Sequence, residues 1–459
     1  MTYTNWINFA QLPHHQQDNN RYCGEACIQM AVHALTTGTL GTPPEDQNVY
    51  DGFIPSALAD GLINWYTAPQ NLVIGLNTYI DAKYADFPRR FELHCYPMTG
   101  SPPDPAAISR AIVWHIEQYG KAPIVLVGGF QHWLLVRGYQ SDQQPASTTD
   151  TAYTITSFFV ADPGPELPQP TTAVCWPEPH DDSCDQCGVG PLRGQRSQHV
   201  TYATWSTTYM TGVPADSGSA CSGNFLMITD SLDKQQYSGG PAQPNVPACG
   251  CETPPPALLE NAPAAITQAD TNLPIDEQLL DDGDLRKQAI AGAQCGIEDF
   301  KLTEIGDWHY ALPDTTPDAP YRVQYLDRTG RFYYLVPFKK KGVTSVAVKV
   351  DGPSSIYEAS VAVAAPDISV IEILNVDQIP MKLSGREFLY RGSTWSIGRE
   401  DVIADPPPQL VWQFCHESSS PFYPFYEVHV RLGSGEAIVY MRASDGATFT
   451  ELSIHYGGD

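Results

Sequence analysis

The chain has 459 residues, enough for two or three domains, and its 42% hydrophobic and 11% aromatic content excludes a disordered polymer. Asp and Glu (52) outnumber Lys and Arg (26), and the net charge of −26 disfavours nucleic acid and anionic membrane surfaces as partners. No run reaches the roughly eighteen apolar residues of a membrane span, and eleven cysteines cannot all pair within one chain.

Residues 1–232 read as one α/β unit. The opening stretch, MTYTNWINFAQLPHHQQDNN, lacks the basic and apolar regions of a secretory signal, so the expected location is cytoplasmic. In CGEACIQMAVHAL, Cys23, Cys27, Met30 and Ala34 recur at helical spacing. Pro55–Thr67 opens on a proline suited to a first helical turn, and Pro105–Tyr119 carries Ile108, Ile112, Ile116 and Tyr119 on one side. Four short apolar runs follow, Pro123–Val127, Trp133–Val136, Tyr153–Ala161 and Phe225–Ile228. Bounded by Gly, Pro and Asp, they read as strands of a buried sheet.

Residues 233–269 are rich in Pro and Gly and read as a linker, with Cys249 and Cys251 as candidates for pinning it. Beyond it, 270–365 and 366–459 echo one another. Both show strands joined by a Gly turn and an Asp-Gly turn (Asp351-Gly352 and Asp445-Gly446), and they close on Glu358-Ala359-Ser360 and Glu451-Leu452-Ser453. Alternation in VAVKV and EVHVR predicts antiparallel sheets covered on one face, with a helix over Asp276–Ile297 as the cover. The expected class is therefore α+β.

A nucleophilic cysteine needs a base, a group to orient that base, and donors for an oxyanion. Cys23 stands at a predicted helix N-terminus, where the dipole favours a thiolate. Gln17 lies six residues upstream and is a candidate oxyanion donor. His132 stands where a glycine-opened turn enters a strand, and Asp162 ends the next one. Adjacent antiparallel strands would set Asp162 beside His132, with the other ring nitrogen facing Cys23.

Each residue also has a plainer reading. Cys23 fits a buried structural thiol, and Asp162 fits a turn cap before Pro163. Cys27, one helical turn along, has Arg21 rather than Gln at the equivalent upstream position and reads as core. His33 and His115 fit structural histidines, whereas His14 and His15 fit a polar loop.

The pattern Gln17-x5-Cys23-Gly24-x-Ala26-Cys27, then His132-Trp-Leu-Leu-Val-Arg-Gly138-Tyr139, then Val160-Ala161-Asp162-Pro163 resembles the C39 and C39-like papain-fold cysteine peptidases. These enzymes cut leader peptides from bacteriocins after small, usually glycine, residues. The resemblance covers residues 10–230 and implies Cys23 as nucleophile, His132 as base, Asp162 as orienting acid and Gln17 as oxyanion donor. Tyr202–Val213 is similar to the helix and turn that close such domains. The chain departs from the family in lacking a membrane-crossing segment, in a long connection between His132 and Asp162, and in a cysteine-rich insertion after Asp162.

The implied activity is peptide-bond hydrolysis through a thioester, at small or Gly-containing sites of peptide precursors. Two alternatives stand beside it. One is transpeptidation or peptide ligation from the same acyl-enzyme; the other is a non-catalytic peptide-binding protein with a vestigial triad. The C-terminal half resembles PepSY-type modules attached to bacterial peptidases, which implies a part that contacts or feeds the catalytic cleft. The expected partner is a peptide or protein substrate.

The group Cys175, His180, Cys184 and Cys187 admits a structural zinc, a disulfide staple or free thiols. Disulfides there would fit an oxidising compartment and secretion rather than the cytoplasm. No other cofactor is expected: Walker, dinucleotide, HExxH and GxSxG patterns are absent, and Asp281-Asp282-Gly283-Asp284 is too short for a calcium loop.

Overall fold

The computed structural model describes residues 2–7, 12, 14–17, 23–36, 67–83, 89–98, 105–128, 132–147, 150–164, 195–213, 221–233, 282–362, 369–371, 373–390, 393–415, 417–433 and 435–452. They fall into two units of α+β class, one running to Asp233 and the other starting at Asp282. The predicted helix over 55–67 (except Thr67), the body of the linker, and Cys175, His180, Cys184, Cys187, Cys249 and Cys251 lie outside the described residues.

The N-terminal unit is built on strands β1 (Tyr3–Trp6), β2 (Arg89–Pro97), β3 (Ile124–Val127), β4 (His132–Ser141), β5 (Ile155–Asp162), β6 (Gln195–Thr201) and β7 (Asn224–Asp233). Their order is β6-β5-β4-β3-β7-β2, all antiparallel. One edge of β4 is shared. Its first residues pair with β3, from Val127 opposite His132, and its last four pair with β1, from Trp6 opposite Gly138. Every residue of β4 is buried, which explains why HWLLV reads as a continuous run and not as an alternation.

Helices α1 (Cys23–Thr36) and α3 (Pro105–Tyr119) both lie against β4, and α2 (Pro69–Lys83) packs on α1 and β2. Ile108, Ile112 and Ile116 of α3 are buried, as their spacing predicts. Glu117 near the end of α3 gathers the Tyr3 and Tyr139 hydroxyls and the Asn5 and Gln144 amides, tying α3 to β1 and β4. These donors outweigh the opposing effect of burial and hold its carboxyl below the usual carboxylate range.

After β6 come one α-helical turn, α4 (Tyr202–Thr204), and a π-helical turn, Trp205–Tyr209. Thr201 caps the first through its hydroxyl, which accepts from the Thr204 N–H at 3.3 Å. Trp205 and Tyr209 stack with ring centroids 5.7 Å apart, and both are buried.

In the C-terminal unit, α5 (Asp282–Asp299) and α6 (Gly306–Ala311) precede β8 (Thr316–Pro317) and a meander, β9 (Tyr321–Tyr325), β10 (Phe332–Lys340), β11 (Val343–Asp351) and β12 (Tyr357–Ala362). Next come α7 (Ile379–Leu383) and a separate hairpin, β13 (Glu387–Tyr390) with β14 (Ser393–Ser396). A second meander follows, β15 (Gln409–Trp412), β16 (Phe425–Leu432), β17 (Gly435–Arg442) and β18 (Thr448–Phe449). Each meander is antiparallel and covers one of the echoed segments. Their first strands pair in parallel, with Val411 opposite Gln324, and this makes the sheet mixed.

Helix α5 lies on β10, β11 and β12, as the cover the sequence predicts. Its contact face is Ala289, Gly292, Ala293 and Gly296. A Cβ on Gly292 would overlap the Ser355 carbonyl, and one on Gly296 would overlap the Tyr357 ring. Only glycine permits that approach.

Candidate active site

Helix α1 starts at Cys23, so the sulfur sits on the turn whose backbone N–H groups lack intrahelical acceptors. Thr67 fixes this helix start. The methyl of an alanine at position 24 would lie 3.0 Å from the Thr67 Cβ, so the threonine seats on bare backbone there. Its hydroxyl donates to Glu25, and its carbonyl accepts from the Trp133 indole at 3.3 Å. Trp133 follows His132 in β4, so Thr67 binds the helix that Cys23 starts to the strand that His132 starts. Sequence reading placed Thr67 only at a helix end; no spacing rule singles it out.

His132 opens β4 and is 4% exposed; Asp162 closes β5 and is fully buried. The antiparallel register brings their side chains together, and His132 Nε2 stands 2.6 Å from Asp162 Oδ1. The Cys23 side chain acts on the same imidazole and favours its charged form. With Nε2 committed to Asp162, Nδ1 is the ring nitrogen left for the sulfur.

Burial disfavours a charged ring, but the Asp162 carboxylate, its hydrogen bond and the Cys23 contact outweigh burial and push the His132 pKa up to about 10. His199 of β6 shows what burial does alone, because its ring is pushed down to about 3 and stays neutral.

The two readings of Asp162 prove compatible. The same Oδ1 that meets His132 also accepts the Gly164 N–H at 2.8 Å, so the residue closes its local turn while it holds the ring. Its Oδ2 is buried without a hydrogen bond. Gln17 is 4% exposed, its N–H donates to the Pro163 carbonyl at 2.9 Å, and its Oε1 is buried without a hydrogen bond. The segment bearing Gln17 is thus paired to the residue after Asp162. All four residues singled out for catalysis lie in this unit.

The remaining candidates have structural settings. Cys27 is fully buried. His115 pairs with Asp230 at 3.3 Å in the interior. His15 is buried rather than part of an open loop, with Nε2 3.1 Å from the Gln29 amide nitrogen. Cys221 is a buried thiol that accepts from Gln70 Nε2 at 3.6 Å. Among the described residues no group of three or more His, Cys, Asp or Glu side chains is placed to hold a metal. No helix among them is long and apolar enough to cross a membrane.

Compared with known proteins, the chain matches no family model, no curated protein and no solved structure.

Proposed function

We propose that the N-terminal unit is a papain-like cysteine peptidase and that Cys23 is its nucleophile. The observation that carries this reading is the buried pair Asp162–His132 beside the half-buried Cys23, in which an imidazole held charged by a carboxylate meets a thiol on a helix N-terminus. The Cys23 proton resides on His132, and the thiolate attacks the scissile carbonyl carbon. The resulting oxyanion is met by the Cys23 N–H and the Gln17 amide. The imidazolium then protonates the leaving amine as the C–N bond breaks, leaving a thioester. Water, deprotonated by the now neutral imidazole, attacks that thioester; the sulfur leaves and the carboxylic acid is released. We read the C-terminal unit, a helix laid over an antiparallel meander, as a PepSY-type module.

The test is alkylation by iodoacetamide at pH 7, mapped to individual cysteines by mass spectrometry. Site mapping matters because Cys295 is exposed to the reagent as well. Cys23 is expected to alkylate roughly ten- to a hundredfold faster in the parent chain than in His132→Ala, since the imidazolium maintains the thiolate. Equal rates in both would remove the peptidase reading and leave a binding protein.

A further inference from the structure

The C-terminal unit contains a cleft of about 680 Å³ with no part in the chemistry above. It opens on the outer face of β16 and β17. Along these strands Val428, Val430, Ala437, Val439 and Met441 point into the main core, and the alternate residues face away from it. The outward set pairs across the strands as His429 with Ile438 and Tyr440 with Glu427. Tyr390, at the end of β13, supplies a second aromatic wall, and Glu436 and Glu451 are exposed at the cleft. No Lys or Arg lines it among the described residues. Arg431 is the cross-strand partner of Glu436 and offsets part of its charge.

Gln413 points to a ligand independently of that charge. It lines the cleft and is only 8% exposed, yet its carboxamide has no hydrogen bond to any described residue. Its amide atoms reach the open cleft, so they hydrogen-bond to whatever fills it. A carboxamide both donates and accepts, which matches a peptide bond; a simple polyamine cation can only donate.

We infer that this cleft binds an extended peptide segment carrying a lysine or arginine side chain. Its volume suits a short peptide. The cationic head lies between the Tyr390 and Tyr440 rings and near Glu436 and Glu451, while the aliphatic stem covers Ile438, which is 36% exposed. Gln413 reads the backbone of the segment. The site is separate from the Cys23 chemistry and stands whether or not that unit is a peptidase.

The experiment uses the full chain with Cys23→Ala, so that no probe is cleaved, and fluorescence anisotropy of a dye-labelled Ala-Lys-Ala-Lys-Ala peptide. Saturable binding is expected, weakening with salt, with none for Ala-Glu-Ala-Glu-Ala. The double variant Glu436→Gln/Glu451→Gln is expected to lose about tenfold in affinity, as removing two charges at a partly exposed site does. Both residues are exposed, so the fold survives the change, which circular dichroism checks. Gln413→Ala is expected to weaken the peptide but leave spermidine binding unchanged. Equal binding of the Lys and Glu peptides, or a double variant that binds like its parent, would overturn the inference. So would spermidine losing as much affinity as the peptide does in Gln413→Ala.

Discussion

His132 in the N-terminal unit and Lys349 in the C-terminal unit are both buried cations held against a carboxylate, yet their surroundings differ. Lys349 is closed on every side: Glu358 accepts from its ammonium, and the Tyr325 and Tyr333 rings lie 5.6 and 5.1 Å away. Burial works against that charge, but Glu358 and the neighbouring tyrosine outweigh burial and raise the pKa further above the usual lysine value. His132 is left open by comparison. Its carboxylate keeps one buried oxygen without a hydrogen bond, Cys23 acts on the same ring, and Gln17, tied through its N–H to Pro163, also has an unbonded buried oxygen. Among the described residues of the C-terminal unit, the buried side-chain atoms lacking a hydrogen bond, on Ser355, Trp412 and Ser444, are all neutral. A closed charge stabilises a fold; an open one keeps capacity for a reacting group.

Four changes would break or sharpen that contrast. The largest effect is expected for Asp162→Asn, which should lower peptide turnover roughly 10³- to 10⁴-fold, because the ring loses the charge that orients and protonates it. Steady-state rates on a peptide library check this, and near-parent turnover would reduce Asp162 to a turn cap. Next is Glu358→Gln, which leaves Lys349 buried and unpaired. It should cost about 3–5 kcal/mol in urea unfolding of the C-terminal unit, with Cys23 alkylation unmoved. Gln17→Ala should reduce kcat about a hundredfold with KM little changed, the loss expected for one oxyanion donor. A rise in KM alone would instead make Gln17 a substrate contact.

The smallest effect is in pH. The folded His132 pKa of about 10 lies above its unfolded value near ~6.5. The stability it contributes is therefore complete below ~6.5 and is lost as pH rises through about 10. The stability of the N-terminal unit should fall from pH 7 to 9, and His132→Ala should flatten that slope. Lys349 starts from an unfolded value near ~10.4, so its contribution should stay constant over the same window. Matching slopes for the two units would erase the distinction.

Much of the site was legible because each residue ends or begins an element. Cys23 starts α1, His132 starts β4 and Asp162 ends β5, and such boundaries are written in local composition. The α3 span agrees with its apolar stripe residue for residue. What stayed hidden depends on partners distant in sequence. β6, QRSQHVT, has no apolar alternation, yet Ser197, Gln198 and His199 are all buried in it. It is held by the β5 ladder and by Gln198 Nε2 donating to the Tyr209 hydroxyl at 2.5 Å. The parallel pairing of β9 and β15 joins residues more than eighty positions apart, which no local signal encodes. α2 was recoverable in principle, since Leu72, Val73, Leu76, Tyr79 and Ile80 follow a proline at helical spacing and are all buried.

The hydrogen bond from the Gln17 N–H to the Pro163 carbonyl has a consequence for anyone varying residues around the candidate site. It gears two parts that a designer would wish to adjust separately. A shift of the turn at Pro163 moves the Asp162 carboxylate held against His132, and through one backbone link it also moves the segment bearing Gln17. Libraries built on residues 162–164 would therefore yield coupled gains or coupled losses, seldom one without the other. Variation aimed at substrate preference is better placed on surfaces that leave this linkage undisturbed.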